Sequence, residues 1–232
     1  TLINFNKKIR SMEKFNRLKQ FARLFLNYKK LKKTTALALE KAYLFETGYI
    51  KSIEKGAPLT KSGDPIPWLT YSFVYFIQER LKPEMSILEF GSGNSTLYWS
   101  KRVKKVESIE HDPSWYEKVK SMNLPENVNV SLKKIGDNGD YNKFLKTQET
   151  PNFSIILVDG VERVSCLKNN YTLLEDNGVM VLDNSEREEY LSGINFLIDK
   201  GFKKIDFWGL APMVINHGCT SIFYKENNCL GL

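Results

Sequence analysis

The feature that most constrains the fold is a regular alternation of short apolar runs with longer amphipathic stretches. The apolar runs lie at residues 86–90, 103–109, 128–132, 153–158 and 179–182, and an amphipathic stretch at 68–81 precedes them. Runs of this length are typical of buried strands, and the connections between them are long enough to hold helices. Such connections favour parallel pairing, so the pattern predicts an α/β fold with helices on both faces of a doubly wound sheet.

The end of the chain has a different pattern. Residues 204–208 and 220–224 are two further strand-like runs, and the segment between them has no helical periodicity. Two strands joined without a helix are typical of an antiparallel pair. We therefore predict a C-terminal antiparallel β-hairpin at one edge of the sheet.

The positive charge of the chain is concentrated near its N-terminus. Residues 1–60 carry 14 Lys and Arg against 4 Asp and Glu, whereas residues 61–232 carry 20 against 23. Apolar residues recur there at spacings of three and four, which predicts an amphipathic helix up to about residue 33 and a second from 35 to about 53. A turn-rich segment follows at 61–67. We predict a basic helical N-terminal extension at 1–60 and the α/β domain at 61–232.

The role of this extension has two interpretations. Its lysines can form the solvated face of helices that pack on the domain. Alternatively, residues 1–55 can contact an anionic membrane surface or a protein partner. No strand-borne aromatic pair accompanies the charge, so the sequence carries no specific nucleic-acid signal.

Cysteine usage and hydropathy indicate the compartment. The three cysteines, Cys166, Cys219 and Cys229, show no CxxC spacing. They therefore favour a reducing compartment over a disulfide framework or a zinc cluster. No apolar run approaches the ~18 residues of a membrane span. We expect a cytoplasmic protein, with peripheral membrane association as the alternative, and the oligomeric state stays open.

A glycine loop follows the first apolar run. It occupies residues 89–96 and reads EFGSGNST. Its two glycines permit a sharp turn and a close approach of the backbone to a ligand, at the strand edge where such sheets bind ligands. Glu89 ahead of the glycines, and Thr96 in place of a third glycine, argue against a dinucleotide, because a pyrophosphate requires bare backbone donors. The loop favours a cationic or hydroxyl-rich ligand.

Two more acids follow the next two strands. Glu110 directly follows the second run, 19 residues after Gly91, where a carboxylate can accept both hydroxyls of a ribose. Asp137 follows the third run and can accept a hydrogen bond from an adenine amino group. Each acid alone can also be a loop residue or a helix cap. Together, acids at three successive strand ends favour a nucleoside-binding edge.

Over about residues 68–224, the chain resembles the class I S-adenosylmethionine-dependent methyltransferases. Residues 88–93 look like the first motif of that family, Glu110 matches its ribose-binding acid, and residues 136–137 look like its adenine-contacting segment. The resemblance implies a Rossmann-like seven-stranded sheet and S-adenosylmethionine as the cofactor. It also implies cofactor contacts from Glu89, Gly91, Ser92, Gly93, Asn94, Ser95, Glu110, His111, Asp137 and Asp159. Asn94 departs from the pattern, because many members have a further glycine there.

The fourth and fifth runs end in Asp159 and in Asp183-Asn184. Neighbouring strand ends would bring two carboxylates and an amide oxygen together, a ligand set that suits Mg²⁺. This pattern resembles the metal site of catechol- and caffeoyl-CoA-type O-methyltransferases, in which Asp159 and Asp183 would be catalytic. A metal there would bind two substrate oxygens and lower the pKa of the attacking hydroxyl. The same residues are also good helix N-caps.

Several residues near the same edge are candidates to line a pocket for a small-molecule acceptor. They are Trp68, Tyr71, Trp208, Met213 and His217. Loops on a rigid scaffold commonly carry such sites, although Trp68 and Tyr71 also follow helical spacing and can pack in the core.

The sequence as a whole favours an S-adenosylmethionine-dependent O-methyltransferase that acts on a small molecule, with Mg²⁺ as an optional cofactor. The alternatives are a metal-independent methyltransferase directed to nitrogen or a polymer, an NAD-dependent enzyme, and a non-catalytic module tethered to a membrane or partner through its basic helices.

Overall fold

The computed structural model describes residues 16, 19–20, 22–23, 25–136, 139–144 and 152–232. The strands are β1 (Ser86–Phe90), β2 (Lys105–Glu110), β3 (Val128–Leu132), β4 (Phe153–Val158), β5 (Leu174–Asp183), β6 (Lys203–Gly209) and β7 (Gly218–Tyr224). The α-helices in the described residues are α1 (Tyr28–Ala36), α2 (Tyr43–Glu46), α3 (Tyr49–Lys55), α4 (Tyr71–Gln78), α5 (Asn94–Ser100), α6 (Pro113–Lys120), α7 (Arg163–Asn170) and α8 (Leu191–Asp199).

The seven strands of the described residues form one sheet with the order β3-β2-β1-β4-β5-β7-β6. Neighbours among β1 to β5 pair in parallel, whereas β7 is antiparallel to both β5 and β6. The predicted Rossmann-like, doubly wound sheet with a C-terminal antiparallel hairpin is therefore confirmed. The order reverses between β1 and β4, and ligands of such sheets bind outside the strand ends at this point.

The sheet has a hydrophobic core on each face. Alternate residues of the central strands enter opposite cores: Ile87 and Ile155 pack with α4 on one face, and Leu88 and Ile156 pack with α7 and α8 on the other. All four side chains are almost fully buried. Because both faces are covered, the parallel strands are continuous apolar runs, and this made them easy to predict.

The N-terminal helices differ from the prediction. The expected helix from 35 to 53 is broken, because Lys41 and Gly48 adopt left-handed conformations with φ values of 66° and 80°. Of the first predicted helix, Phe15, Leu18 and Phe21 lie outside the described residues. No described helix is long and apolar enough to cross a membrane.

The segment from α2 to residue 60 packs against the sheet domain. Tyr49 of α3 is buried in the same core as α4, and Leu44 and Ile50 pack against that core. The Tyr49 hydroxyl also lies 3.4 Å from the carbonyl oxygen of Val214, to which it donates a hydrogen bond. This segment thus contacts the loop between β6 and β7. The division of the chain at residue 60 stays a prediction.

The sharp turn before α3 depends on Gly48. Its φ is 80°, and a Cβ there would lie 2.2 Å from the carbonyl oxygen of Leu59. We expect Gly48→Ala to lower the free energy of unfolding by about 1–3 kcal/mol through backbone strain. The clash with the Leu59 carbonyl oxygen should lower it further. Gly56→Ala is the matched control, because Gly56 has a φ of 65° but open space around its Cβ position. Urea denaturation measures both, and equal losses would contradict the role of the clash.

Candidate functional site

The glycine loop lies at the carboxyl end of β1, where it meets the loop after β4. Gly91 has a φ of 98°, and a Cβ there would lie 3.0 Å from the amide nitrogen of Gly160. Glycine at this position therefore lets the two loops approach each other. The Asn94 side chain donates a 2.7 Å hydrogen bond to the carbonyl oxygen of Pro58, which fixes the loop to the segment after α3.

Glu110 organises the end of β2. One carboxylate oxygen accepts the backbone N–H groups of His111 and Asp112, at 2.7 and 2.9 Å. The other accepts the hydroxyl and the backbone N–H of Ser92, at 2.8 and 3.2 Å. The side chain is buried apart from a small fraction. A single carboxylate thus connects the loop after β2 to the glycine loop.

These loops surround a cavity of about 430 Å³, which we call the first cavity. Its lining includes eight of the residues predicted to contact a cofactor: Gly91, Ser92, Gly93, Asn94, Ser95, Glu110, His111 and Asp159. The remaining lining residues are Gly56, Ala57, Pro58, Trp68, Asp112, Trp115, Lys118, Met122 and Gly160. The structure therefore brings the predicted cofactor residues of three strand ends together around one space.

Glu89 and Asp137 are the other two predicted cofactor residues. Glu89 does not line the first cavity, because it points into the protein beneath the loop. It is fully buried, and it accepts hydrogen bonds from the side chains of Thr96, Trp99 and Ser108. Burial raises its pKa, although these hydrogen bonds oppose the shift. Through these hydrogen bonds Glu89 connects β1 to α5 and β2. Asp137 lies outside the described residues.

A second cavity of about 350 Å³ lies at the ends of β4 and β5. It is lined by Trp68, Thr70, Asp159, Asp183, Asn184, Arg187, Ala211, Val214, Asn216 and Gly218. Trp68 and Asp159 line both cavities. The two spaces therefore meet at one aromatic and one carboxylate side chain.

Only Trp68 of the five predicted acceptor-binding residues lines either cavity. Tyr71 is buried in the core edge-on to Tyr43, because its side chain is on the face of α4 that packs on the sheet. Trp208 stacks on His217 at 5.0 Å between ring centroids, and neither residue lines either cavity. Met213 belongs to the predicted loop but does not line them. Other residues of the β6–β7 hairpin, namely Ala211, Val214, Asn216 and Gly218, line the second cavity instead. The predicted acceptor-binding roles stay predictions.

Asp159 and Asp183 form a close carboxylate pair. Burial, and then the charge of Asp183, raise the pKa of Asp159 well above its usual range, although Arg163 opposes the shift. Burial also raises the pKa of Asp183, whereas a 2.6 Å hydrogen bond from the Thr220 hydroxyl and the charge of Arg163 act against it. Two carboxylates that interact this strongly titrate as a pair. Because both pKa values are raised, the pair holds a proton at a higher pH than an isolated aspartate does, and it can accept one when it is ionised.

The predicted magnesium ligands Asp159, Asp183 and Asn184 do not fit a metal site, because a guanidinium contacts two of them. Arg163 Nη2 donates to Asp159 Oδ1 at 3.2 Å, and Arg163 Nη1 donates to Asn184 Oδ1 at 3.3 Å. The third, Asp183, has one oxygen engaged by Thr220. Within the described residues, no group of three or more His, Cys, Asp or Glu side chains is placed to hold a metal ion.

Sequence reasoning missed residues that come from outside the recognised motifs. Gly56 to Pro58 precede the predicted domain, and Thr70 and Arg187 reach the second cavity from separate segments. Trp115 did carry a signal, because it follows Glu110 closely at the start of a helix. Its indole N–H donates a 2.8 Å hydrogen bond to the carbonyl oxygen of Ser92 and holds the ring beside the glycine loop.

Comparison with solved structures places this site on a known fold. The chain is similar to precorrin-6y C5,15-methyltransferase from Geobacter metallireducens GS-15, with a TM-score of 0.53 and 15% identity over 67% of this chain and 87% of that chain. The fold is that of the class I methyltransferases. At this identity the likeness extends to the fold and not to the substrate.

Two weaker similarities were also found. One is to a methyltransferase from Pyrococcus furiosus, with a TM-score of 0.49 and 19% identity over 77% of this chain and 94% of that chain. The other is to a SAM-dependent O-methyltransferase from Thermotoga maritima, with a TM-score of 0.49 and 15% identity over 66% and 64% of the two chains. No protein-family model matches the sequence. No match was found among curated proteins.

Proposed function

We propose that this protein is an S-adenosylmethionine-dependent methyltransferase that methylates an oxygen of a small molecule without a metal ion. The observation that carries the proposal is the junction of the two cavities at Trp68 and Asp159. A ligand in the first cavity and a ligand in the second would meet there. This is the arrangement that a direct transfer between two bound molecules requires.

The residues of the first cavity fit this cofactor. Glu110 would accept the ribose hydroxyls in place of the Ser92 hydroxyl, which donates a 2.8 Å hydrogen bond to it. Trp115 offers an aromatic face beside the glycine loop, and Asp159 lines the same cavity, where its ionised carboxylate would attract a positive group. When bound, S-adenosylmethionine supplies a methyl group on a positively charged sulfur.

The second cavity supplies the group that would accept the proton of the acceptor. Asp183 lines this cavity and has one carboxylate oxygen engaged by Thr220. Its other oxygen would accept the proton of an acceptor hydroxyl as the oxygen attacks the methyl group. General bases positioned in this way contribute about 10²–10⁴-fold to a rate. The products would be a methyl ether and the demethylated cofactor, with the proton on the carboxylate pair.

Calorimetric titration with S-adenosylmethionine and S-adenosylhomocysteine tests the proposal, in the presence of Mg²⁺ and then of EDTA. We expect both compounds to bind with stoichiometry one and with the same affinity in either solution. A folded protein that binds neither compound would contradict the cofactor assignment. Binding that requires Mg²⁺ would instead favour the metal-dependent alternative.

A second function, as a module held to an anionic membrane, has its own supporting observation. Phe25 and Leu26 are 66% and 86% exposed, and Tyr28 is 74% exposed. Phe25 and Leu26 lie directly before α1, and Tyr28 is its first residue. Residues 28–36 of this helix include four lysines and no acid, and none of them is buried. Exposed apolar side chains next to a cluster of lysines are typical of helices that bind the surface of anionic lipid.

Sedimentation with phosphatidylserine vesicles tests this second function on the full chain. We expect binding that falls strongly when the lysines of α1, Lys29, Lys30, Lys32 and Lys33, are all changed to glutamate. Glutamate at Lys104, Lys105, Lys118 and Lys120 is the matched control, because these lysines are distant in sequence and carry the same total charge. Equal losses in both variants would show that net charge, and not α1, determines the binding.

A further inference from the structure

Arg163 connects the ends of β4 and β5. Its Nε donates a 2.8 Å hydrogen bond to the carbonyl oxygen of Gly160, its Nη2 donates a 2.6 Å bond to that of Asp159, and its Nη1 donates to that of Asp183. With the contacts to the Asp159 carboxylate and the Asn184 amide, the guanidinium has five acceptors for its five N–H groups. The arginine is 9% exposed.

We infer that Arg163 is the resident cation of this site and that it excludes divalent ions from the Asp159, Asp183 and Asn184 oxygens. A magnesium ion must lie about 2.1 Å from each oxygen that it binds. It would then be within a few ångströms of a guanidinium that contacts two of the same oxygens. Like charges at this distance in a poorly solvated site repel strongly, and an arginine does not lose its charge.

The guanidinium can do part of what a metal ion would do there. It neutralises negative charge on the carboxylate pair, and it holds Asp159 and Asn184 at fixed positions. Unlike a metal ion, the Arg163 guanidinium cannot bind two oxygens of a substrate, because all of its N–H groups already have acceptors within the protein. Arg163 is therefore a positioning residue, and it leaves the second cavity open to an acceptor that does not chelate a metal.

Binding of Mn²⁺ to the full chain, followed by electron paramagnetic resonance, tests this inference without reference to methyl transfer. We expect Arg163→Ala to bind one equivalent of Mn²⁺ at least about tenfold more tightly than the unchanged protein, because the repulsion is removed. Arg163→Lys keeps the positive charge, so it should bind Mn²⁺ no more tightly than the unchanged protein. The double variant Arg163→Ala/Asp183→Asn should lose the tight Mn²⁺ binding that Arg163→Ala gains. Arg102→Ala is a control, since Arg102 lies over the Tyr98 ring, away from these carboxylates.

Two results would overturn the inference. One is a folded Arg163→Ala protein that binds Mn²⁺ no better than the unchanged protein. The other is one tight equivalent in the unchanged protein that disappears in Asp183→Asn. If circular dichroism shows that Arg163→Ala is unfolded, Arg163→Gln replaces it, because glutamine is neutral and keeps an amide donor for the carbonyl groups. Since only metal binding is measured, the outcome is separate from that of the proposed methyl transfer.

Discussion

Replacement of Asp183 by asparagine should slow methyl transfer by about 10²–10⁴-fold while leaving the affinity for S-adenosylmethionine unchanged. The carboxylate lines the second cavity and does not line the first. Asparagine has nearly the same shape and can still accept the hydrogen bond from Thr220, so the fold should persist. What it loses is the ability to accept a proton. Single-turnover kinetics and calorimetry on the same preparation measure the two quantities separately.

The pH dependence of this rate gives a further check. Burial raises the pKa of Asp183, and a general base must be ionised to act. The rate should therefore fall as the pH is lowered through an apparent pKa above that of an ordinary aspartate. Asp183→Asn should lose this dependence.

Asp206→Asn is the matched control for Asp183→Asn. Asp206 also accepts a hydrogen bond from a hydroxyl, that of Ser221, but it lies on β6 and lines neither cavity. It should retain the full rate. A rate that is equally low in both variants would indicate damage to the hairpin, and an unchanged rate in Asp183→Asn would remove Asp183 from the mechanism.

Replacement of Glu110 by glutamine should weaken S-adenosylmethionine binding by about 10- to 100-fold. The carboxylate accepts hydrogen bonds from the loop after β2 and from Ser92. A glutamine would direct an N–H₂ group at one set of these donors. Each hydrogen bond to a charged group is worth about 1.5–3 kcal/mol, and 1.4 kcal/mol corresponds to a factor of ten. The expected weakening of about 10- to 100-fold therefore corresponds to the loss of about one such hydrogen bond.

Glu117→Gln is the control for this second variant, because Glu117 is an exposed residue of α6 and does not line the first cavity. Its affinity should match that of the unchanged protein. Circular dichroism should accompany both titrations, since Glu110 is buried and its loss also lowers stability. A folded Glu110→Gln protein with unchanged affinity would contradict the proposed role in ribose binding.

The sheet could be predicted because strands that are buried on both faces are continuous apolar runs in the sequence. The runs at 86–90, 128–132 and 153–158 coincide with β1, β3 and β4. The fifth run was predicted too short, because β5 begins at Leu174 and then includes Glu175, Asp176 and Asn177, which are not buried and interrupt its apolar character. The helix predicted at 35–53 failed because its breaks come from left-handed residues, which periodicity does not detect.

The candidate site was predictable where a strand end determines the position of a residue. Gly91, Glu110 and Asp159 directly follow or end apolar runs, and the sheet brings such residues to one edge. The direction of a side chain and the contacts of distant loops are set by packing. The sequence therefore gave no indication that Glu89 points inward or that Arg163 contacts the supposed metal ligands.

The segment after α2 touches the walls of both cavities from outside the sheet. Pro58 holds the glycine loop through Asn94, and Tyr49 contacts Val214 in the loop of the second cavity. We therefore expect a ligand that orders either wall to restrict this segment as well, which would lower the entropy cost of ordering the other wall. Because such coupling is reciprocal, this arrangement favours a mutual increase in affinity between the two ligands, with no need for a domain movement.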